Sequence, residues 1–142
     1  MDCYDMIYQW REDLDSWKGK NGGDTRIMMT EAWANISFTM KYYESDDGLR
    51  KGSHMPFNFL LITDLDEHST AQDFVHTVNK WMSFMPAGNT ANWVLGNHDK
   101  ARVGSRYGYQ RIDSINALLL TLPGAGITYN VSKKYFGSKI YY

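Results

Sequence analysis

At 142 residues, with 43% of them hydrophobic and 15% aromatic, the chain has room for one ordinary domain and enough apolar side chains to fill its core, which excludes disorder by composition. A formal net charge of -1 gives no reason to expect a nucleic-acid surface. The single cysteine, Cys3, excludes an internal disulfide framework and a cysteine zinc site, and no apolar run approaches the roughly 20 residues of a membrane span.

The start, Met1-Asp2-Cys3-Tyr4-Asp5, is acidic and polar, unlike a secretory leader. Any such signal is expected outside this chain or not at all, so the compartment stays open. Two glycan-acceptor patterns occur, Asn35-Ile36-Ser37 and Asn130-Val131-Ser132; such triplets arise often by chance and say little about compartment.

Cys3, Met6, Ile7, Trp10, Leu14 and Trp17 recur at helical spacing and predict an amphipathic helix, ended by the three glycines between Lys18 and Asp24. Arg26 to Glu31 reads as a strand that is apolar until it meets a carboxylate. Ala32 to Tyr43 reads as a helix, although Trp33, Ile36, Phe38 and Thr39 are weak helix formers. Glu44 to His54 is a polar loop. Pro56 to Ile62 is a nearly continuous apolar run, as expected of a strand covered on both faces. Ser69 with Gln72 fits a capping box, and Ala71, Phe74, Val75, Val78, Trp81, Met82 and Met85 then mark one helix face, stopped by Pro86 and Gly88. Asn92 to Leu95 is the next strand. A loop with Gly104 and Gly108 leads to a helix traced by Ile112, Ile115, Leu119 and Leu122, closed by Pro123-Gly124, and Ile127 to Tyr129 is a last short strand.

Helix and strand alternate throughout, which predicts parallel strands joined by crossover helices. No internal repeat, low-complexity segment or domain boundary is visible. The count is about four strands, half of the eight in a (β/α)8 barrel, and such barrels typically need about 250 residues.

The chemistry concentrates where apolar strands stop. In Asn92-Trp93-Val94-Leu95-Gly96-Asn97-His98-Asp99 a buried run is broken by glycine and followed at once by polar groups, the pattern of a parallel strand ending at an active face. His98 and Asp99 bring an imidazole and a carboxylate to one point. The plain alternative is a polar pair satisfying backbone groups in a tight turn. Glu31 stands at the same place on its own strand; its plain alternative is a solvated carboxylate, or one facing the dipole of the helix that follows. Asp64, Asp66, Glu67 and His68 could form a metal cluster, and with Gly96-Asn97-His98-Asp99 they are similar in outline to calcineurin-like metallophosphoesterases. That family needs a bridging ligand from a Gly-Asp motif between the two segments and further histidines downstream. Neither occurs here, so a solvated loop feeding the cap at Ser69 is preferred. The tail from Lys133-Lys134-Tyr135-Phe136 to Tyr142 has the residues of a single-strand RNA binder, but it is short and the chain is not basic; a frayed or packed terminus is preferred.

Four separated motifs then match one family. Arg26-Ile-Met-Met-Thr-Glu-Ala-Trp-Ala34, Gly52-Ser-His-Met-Pro-Phe-Asn-Phe59, Gly88-Asn-Thr-Ala-Asn-Trp-Val-Leu-Gly-Asn-His-Asp99 and Arg102-Val-Gly-Ser-Arg-Tyr-Gly108 stand in the right order. The chain resembles the α-amylase family of glycoside hydrolases, and within it the insect maltases or α-glucosidases, from the first helix to about Asn130. The resemblance implies an α/β fold, a partial (β/α)8 TIM barrel running approximately from the helix before strand five through strand eight. Residues 1–130 would be the partial catalytic barrel and 131–142 a divergent tail. It implies retaining hydrolysis through a covalent glycosyl-enzyme, with two carboxylates about 5–5.5 Å apart. By this resemblance Glu31 is the acid/base, Asp99 the carboxylate that binds sugar hydroxyls and stabilises the oxocarbenium-like transition state, His98 a hydrogen-bond partner of the same sugar, and Arg102 a substrate contact. The implied partner is an α-glucoside such as maltose or sucrose. No cofactor and no metal are implied, and family members are typically secreted or membrane-attached.

The departures count as well. The family nucleophile, an aspartate in a Gly-Phe-Arg-x-Asp-type motif, has no counterpart in this sequence, and neither has the histidine motif of strand three. Lys100 and Ala101 replace the Gln-Pro usual in maltases. After Tyr129-Asn130 the family's Gly-Glu-Glu is replaced by Val131-Ser132-Lys133-Lys134. The sequence is expected to be a fragment, an incomplete gene model or an alternative product: an inactive or poor hydrolase alone, folding marginally and prone to self-association through open barrel edges. A non-enzymatic alternative runs beside it, a sugar-binding or assembly module like the amino-acid-transporter subunits that resemble this family; those have lost catalytic carboxylates, whereas Glu31 and Asp99 are both present here.

Overall fold

The first helix begins on a reciprocal cap. Asp5 N donates to Asp2 Oδ1 at 2.9 Å and Asp2 N to Asp5 Oδ2 at 3.4 Å, opening helix α1 (Cys3–Asn21). It stops at Gly22, which takes a left-handed φ of 70° and closes the last turn through its N–H to the Lys18 carbonyl. This is a computed structural model; it describes residues 2–129. The tail 131–142, with its run from Lys133 to Tyr142, and the acceptor pattern at Asn130 lie outside the described residues.

The elements in order are α1, β1 (Met29–Thr30), α2 (Ile36–Met40), β2 (Met55–Pro56), α3 (Leu60–Thr63), α4 (Ala71–Phe84), β3 (Asn92–Val94), α5 (Val103–Tyr107), a 3-10 turn at Tyr109–Arg111, α6 (Ile112–Thr121) and β4 (Ala125–Ile127). Contacts divide them into two units. Residues 2–57 and 81–91 form the first, and 58–80 and 92–129 the second, so α4 contributes to both.

In the first unit, β1 and β2 are parallel, with Met29 opposite Met55 and Thr30 opposite Pro56; Phe57 N donates onward to Thr30 O at 2.9 Å. The ladder is shorter than the predicted strand 26–31: at Met28 the carbonyl still accepts from His54 N at 2.9 Å, but side chains share in the bonding. Met28 N donates to His54 Nδ1 at 3.0 Å, and Met28 O accepts from Ser53 Oγ at 2.9 Å. The predicted helix 32–43 shrinks to α2, since Asn35 caps it and turns take over after Met40. Helix α1 buries only part of the predicted face, together with a neighbour outside it. Ile7 and Tyr8 are buried, whereas Met6, Trp10 and Trp17 are exposed. The amphipathic side chains win that face because their tips find backbone partners: Tyr8 OH donates to Lys41 O at 2.6 Å, and Arg11 Nη1 to Gly52 O at 3.0 Å. Gly52 is required there: a Cβ would lie 2.3 Å from the Tyr42 carbonyl oxygen. Arg50 ties the loop back to α1, bonding Asp5 at 3.0 Å and Glu12 at 3.3 Å. Buried Tyr43 donates its hydroxyl to Thr90 O at 2.8 Å.

In the second unit, β3 and β4 are parallel, pairing Asn92 with Ala125, Trp93 with Gly126 and Val94 with Ile127. Asn58 joins the other edge of β3, its N–H reaching Asn92 O at 3.1 Å and its carbonyl accepting from Val94 N at 3.2 Å. The predicted strand from Pro56 to Ile62 ends at this residue. Asn58 Oδ1 accepts from Leu60 N at 3.0 Å and turns the chain into α3, where Leu61 and Ile62 are buried. An apolar run this short reads equally as buried strand or buried helix; the side-chain turn at Asn58 decides it. Trp93, fully buried, anchors the sheet by donating Nε1–H to Pro123 O at 2.9 Å. Helix α6 buries Ile112, Ile115 and Leu119, and Leu119 packs against Gly126 so closely that a Cβ there would sit 3.1 Å from its Cγ.

The cap of α4 is shifted by one residue from the expected Ser69/Gln72. Thr70 N and Oγ1 both donate to Asp73 Oδ2 at 2.7 Å, and Asp73 N returns to Thr70 Oγ1 at 3.3 Å. Thr77 and Trp81 are buried on this helix, while Val75 and Met82, both expected on its apolar face, are exposed. Among the described residues no helix is long and apolar enough to cross a membrane.

Candidate functional site

The second unit carries the loop that follows β3. Its apolar part is fully covered: Val94 and Leu95 are buried. Beyond Gly96 the side chains emerge, with Asn97 still buried and His98 and Asp99 exposed. His98 Nε2 lies 3.2 Å from Asp99 Oδ1, so imidazole and carboxylate form a pair at the surface. Asn97 shapes the turn beneath them: its Oδ1 accepts from Asp99 N at 3.2 Å, and its backbone carbonyl accepts from Arg102 Nη1 at 3.1 Å. The Arg102 guanidinium lies 4.7 Å from the centre of the Tyr129 ring, within cation–π range. A carboxylate acceptor, an imidazole and a guanidinium donor are thereby gathered on one short loop. That set suits a ligand rich in hydroxyl groups, which needs donors and acceptors side by side.

The loop is held from behind by Arg106 on α5. Its Nε donates to Ala101 O at 3.0 Å and its Nη1 to Leu61 O at 3.2 Å, while Nη2 bonds Leu95 O at the end of β3. Tyr107 adds a hydroxyl bond to the same Leu61 carbonyl, and burial pushes its phenol pKa up. One arginine thus joins both ends of the loop and the preceding helical turn.

Glu31 belongs to the first unit. It follows Thr30 directly, at the C-terminal end of β1, and is exposed. Its position matches the sequence expectation of a carboxylate just past an apolar strand. His98, Asp99 and Arg102 are brought together by the second unit alone. Asn97, Arg106 and Tyr129 were given no role of their own by the sequence reading. For Arg106 the signal available was its place in the motif from Arg102 to Gly108. For Tyr129 there was none, since its ring meets Arg102 only through the parallel pairing of β4 with β3.

The acidic run after α3 is occupied by local bonds. Asp64 pairs with Lys80 at 2.9 Å; burial raises its carboxyl pKa, but the Lys80 and Thr63 hydrogen bonds and the neighbouring charges outweigh that and hold it below the usual range. Asp66 Oδ1 accepts from His68 N at 2.8 Å, forming a small turn ahead of the α4 cap. Among the described residues no group of three His, Cys, Asp or Glu side chains could hold a metal ion.

A family model of the alpha amylase catalytic domain matches residues 2–133. Maltase 1 of Drosophila virilis is 52% identical over 128 residues, which is 90% of this chain and 20% of that protein. Maltase A1 of Drosophila melanogaster is 53% identical over 126 residues, 89% of this chain and 22% of that one. The chain thus spans about a fifth of the length of the curated relatives it matches. Among solved structures, an inactive MutB double mutant in complex with isomaltulose superimposes with a TM-score of 0.66 at 20% identity, covering 89% of this chain and 24% of the other. That likeness shows the fold, the α-amylase-type barrel. With the family model matching nearly the whole chain, the chain belongs to the α-amylase catalytic-domain family.

Proposed function

We propose that this chain supplies the sugar-stabilising part of an α-glucosidase active site, on the stretch of the family barrel from the helix before strand five through strand eight. Residues 1–130 would make up that barrel segment, with 131–142 a divergent tail. In this reading Asp99 accepts hydrogen bonds from sugar hydroxyls and stabilises positive charge at the anomeric carbon. His98 and Arg102 orient the same sugar. Glu31 protonates the glycosidic oxygen and later activates water. The substrate class is α-glucosides such as maltose or sucrose. The observation that carries the reading is the loop 96–102, where carboxylate, imidazole and guanidinium are gathered at the end of a buried parallel strand.

The nucleophile motif does not occur in this sequence, so the covalent step has no group to form on. Glu31 alone offers general-acid assistance of about 10²–10⁴-fold, small beside the roughly 10⁶-fold or greater accelerations of enzymes. The isolated chain is therefore expected to bind an α-glucoside without turning it over. Among the described residues β1 pairs only with β2 and β4 only with β3, which leaves strand edges for self-association. Hydrolysis of an aryl α-glucoside by the purified chain, beside Glu31→Gln, tests the catalytic half: no turnover is expected from either, and turnover abolished by the substitution would overturn it. Calorimetric titration with maltose tests the binding half. Weak binding that Asp99→Asn removes is expected, and identical heats from both proteins would defeat the assignment. A purely sugar-binding or assembly module is the second reading, favoured by the presence of the recognition residues without the nucleophile motif; binding that survives Glu31→Gln unchanged fits it.

A further inference from the structure

We propose that the cleft at the N-terminal end of the β1–β2 ladder is a second binding site, built for a small carboxylate with an apolar body. The cleft has a volume of about 270 Å³ and is lined by Arg11, Ile27, His54, Met55 and residues 88–90, all of them in the first unit. Ile27 precedes β1 and His54 precedes β2, whereas Glu31 follows β1, so the cleft and Glu31 stand at opposite ends of one ladder. At about 30 Å³ per water the cleft has room for about nine waters, which limits it to a small ligand.

Its polar side offers donors. His54 takes the Met28 N–H on Nδ1 at 3.0 Å, so Nδ1 carries no proton and the neutral ring is protonated on Nε2. Burial and the nearby Arg11 charge lower the ring's pKa, which favours this neutral form. Nε2 is buried and has no hydrogen-bond partner among the described residues. A buried donor in that state is costly, and an acceptor placed in the cleft relieves it. The Arg11 side chain, 20% exposed, is fixed by two bonds, from Nε to Asp15 at 2.8 Å and from Nη1 to Gly52 O at 3.0 Å. Its Nη2 makes no hydrogen bond among the described residues. A guanidinium and an imidazole N–H lining one cleft match the two oxygens of a carboxylate. Ile27 and Met55 supply an apolar wall for the rest of the ligand, where inorganic phosphate or sulfate has nothing to place.

The test is made on the full 142-residue chain with benzoate as the probe. Histidine ring signals are followed in proton–nitrogen correlation spectra, at a fixed pH above the ordinary histidine pKa, and His54→Gln assigns the ring in question. Benzoate is expected to move the His54 signal saturably, in the millimolar range, while the exposed His68, His76 and His98 stay unmoved. Arg11→Gln is expected to loosen binding several-fold. Asp15→Asn is expected to tighten it several-fold, since it removes the carboxylate that competes for Arg11 yet leaves an oxygen for the Nε bond. Asp15 is exposed, so this variant keeps the test open if Arg11→Gln fails to fold. A His54 signal that does not move or does not saturate overturns the proposal. So does an equal response to benzyl alcohol, which lacks the carboxylate, or to maltose, and so does an affinity left unchanged by Asp15→Asn.

Discussion

Arg106 is the residue whose removal tests the architecture of the candidate site most directly. It makes three bonds to carbonyls, and their worth differs. Ala101 is exposed, so its carbonyl turns to water when the guanidinium goes, at almost no cost. Leu61 O keeps the Tyr107 hydroxyl. Leu95 O is left behind on a residue only 2% exposed, at the end of β3. A hydrogen bond from a charged donor is worth about 1.5–3 kcal/mol, and a buried polar group orphaned by truncation costs about 1–3 kcal/mol. With one of the three bonds dominating, Arg106→Ala is expected to cost about 2–3 kcal/mol, a large share of the roughly 5–15 kcal/mol that holds a domain together. Arg106→Lys should recover less than half, because a single ammonium cannot fork across carbonyls on three segments. Urea unfolding followed by tryptophan fluorescence measures the loss, and amide exchange locates it. Faster exchange should concentrate between Leu95 and Arg102. A shift below about 0.5 kcal/mol for Arg106→Ala, or a lysine variant as stable as the parent, would refute the clamp.

Two further expectations rest on the first unit and on paired glycines. His54 accepts the Met28 N–H on Nδ1, and burial, with the nearby Arg11 charge, lowers its pKa against the opposing pull of Asp15. Protonation turns that acceptor into a donor facing a donor. The unfolded chain then binds the proton more readily than the folded one, so stability is full above the ordinary histidine pKa and falls as pH drops through it toward the lowered folded value. His54→Gln, which keeps an acceptor but cannot titrate there, should flatten the slope of Tm against pH in that window; an unchanged slope would remove His54 as its source. Gly104→Ala and Gly19→Ala should move stability in opposite directions. A Cβ at Gly104 would lie 2.7 Å from Tyr109 ring carbons and 3.0 Å from Ile112 Cδ1, whereas at Gly19 nothing lies within 4 Å. Thermal unfolding should show a loss of about 1–3 kcal/mol for the first and a gain of about 0.5–1 kcal/mol for the second, a helix interior glycine.

Helices α1, α4 and α6 were legible because each is a local object. Periodic apolar residues, an acidic residue in the first turn and a glycine or proline just past the end are present in or beside each segment. Even there the buried face of α1 was read only in part: Ile7 is buried as expected, but Tyr8 and Arg11 reach backbone carbonyls while the more apolar Trp10 and Trp17 stay exposed. The run from Pro56 to Ile62 failed for a related reason. Its composition suits a buried strand and a buried helix equally, and the deciding bond, from Asn58 Oδ1 to Leu60 N, involves the one polar residue in it. At the candidate site, the motif around Asn97-His98-Asp99 and Arg102 was readable as a strand end followed by chemistry, and the roles assigned to those residues came with the family resemblance.

What the sequence by itself determined is therefore the alternation of elements, the polar break after β3 and the kinship. These depend on neighbours a few residues apart and on motifs in order. Only the tertiary structure decided which strand lies beside which, that Tyr129 returns to Arg102, and that Arg106 closes on Leu61, 45 residues away. A guanidinium is satisfied by whichever carbonyls the folded chain brings within its reach, and which ones those are is settled only once distant segments have met.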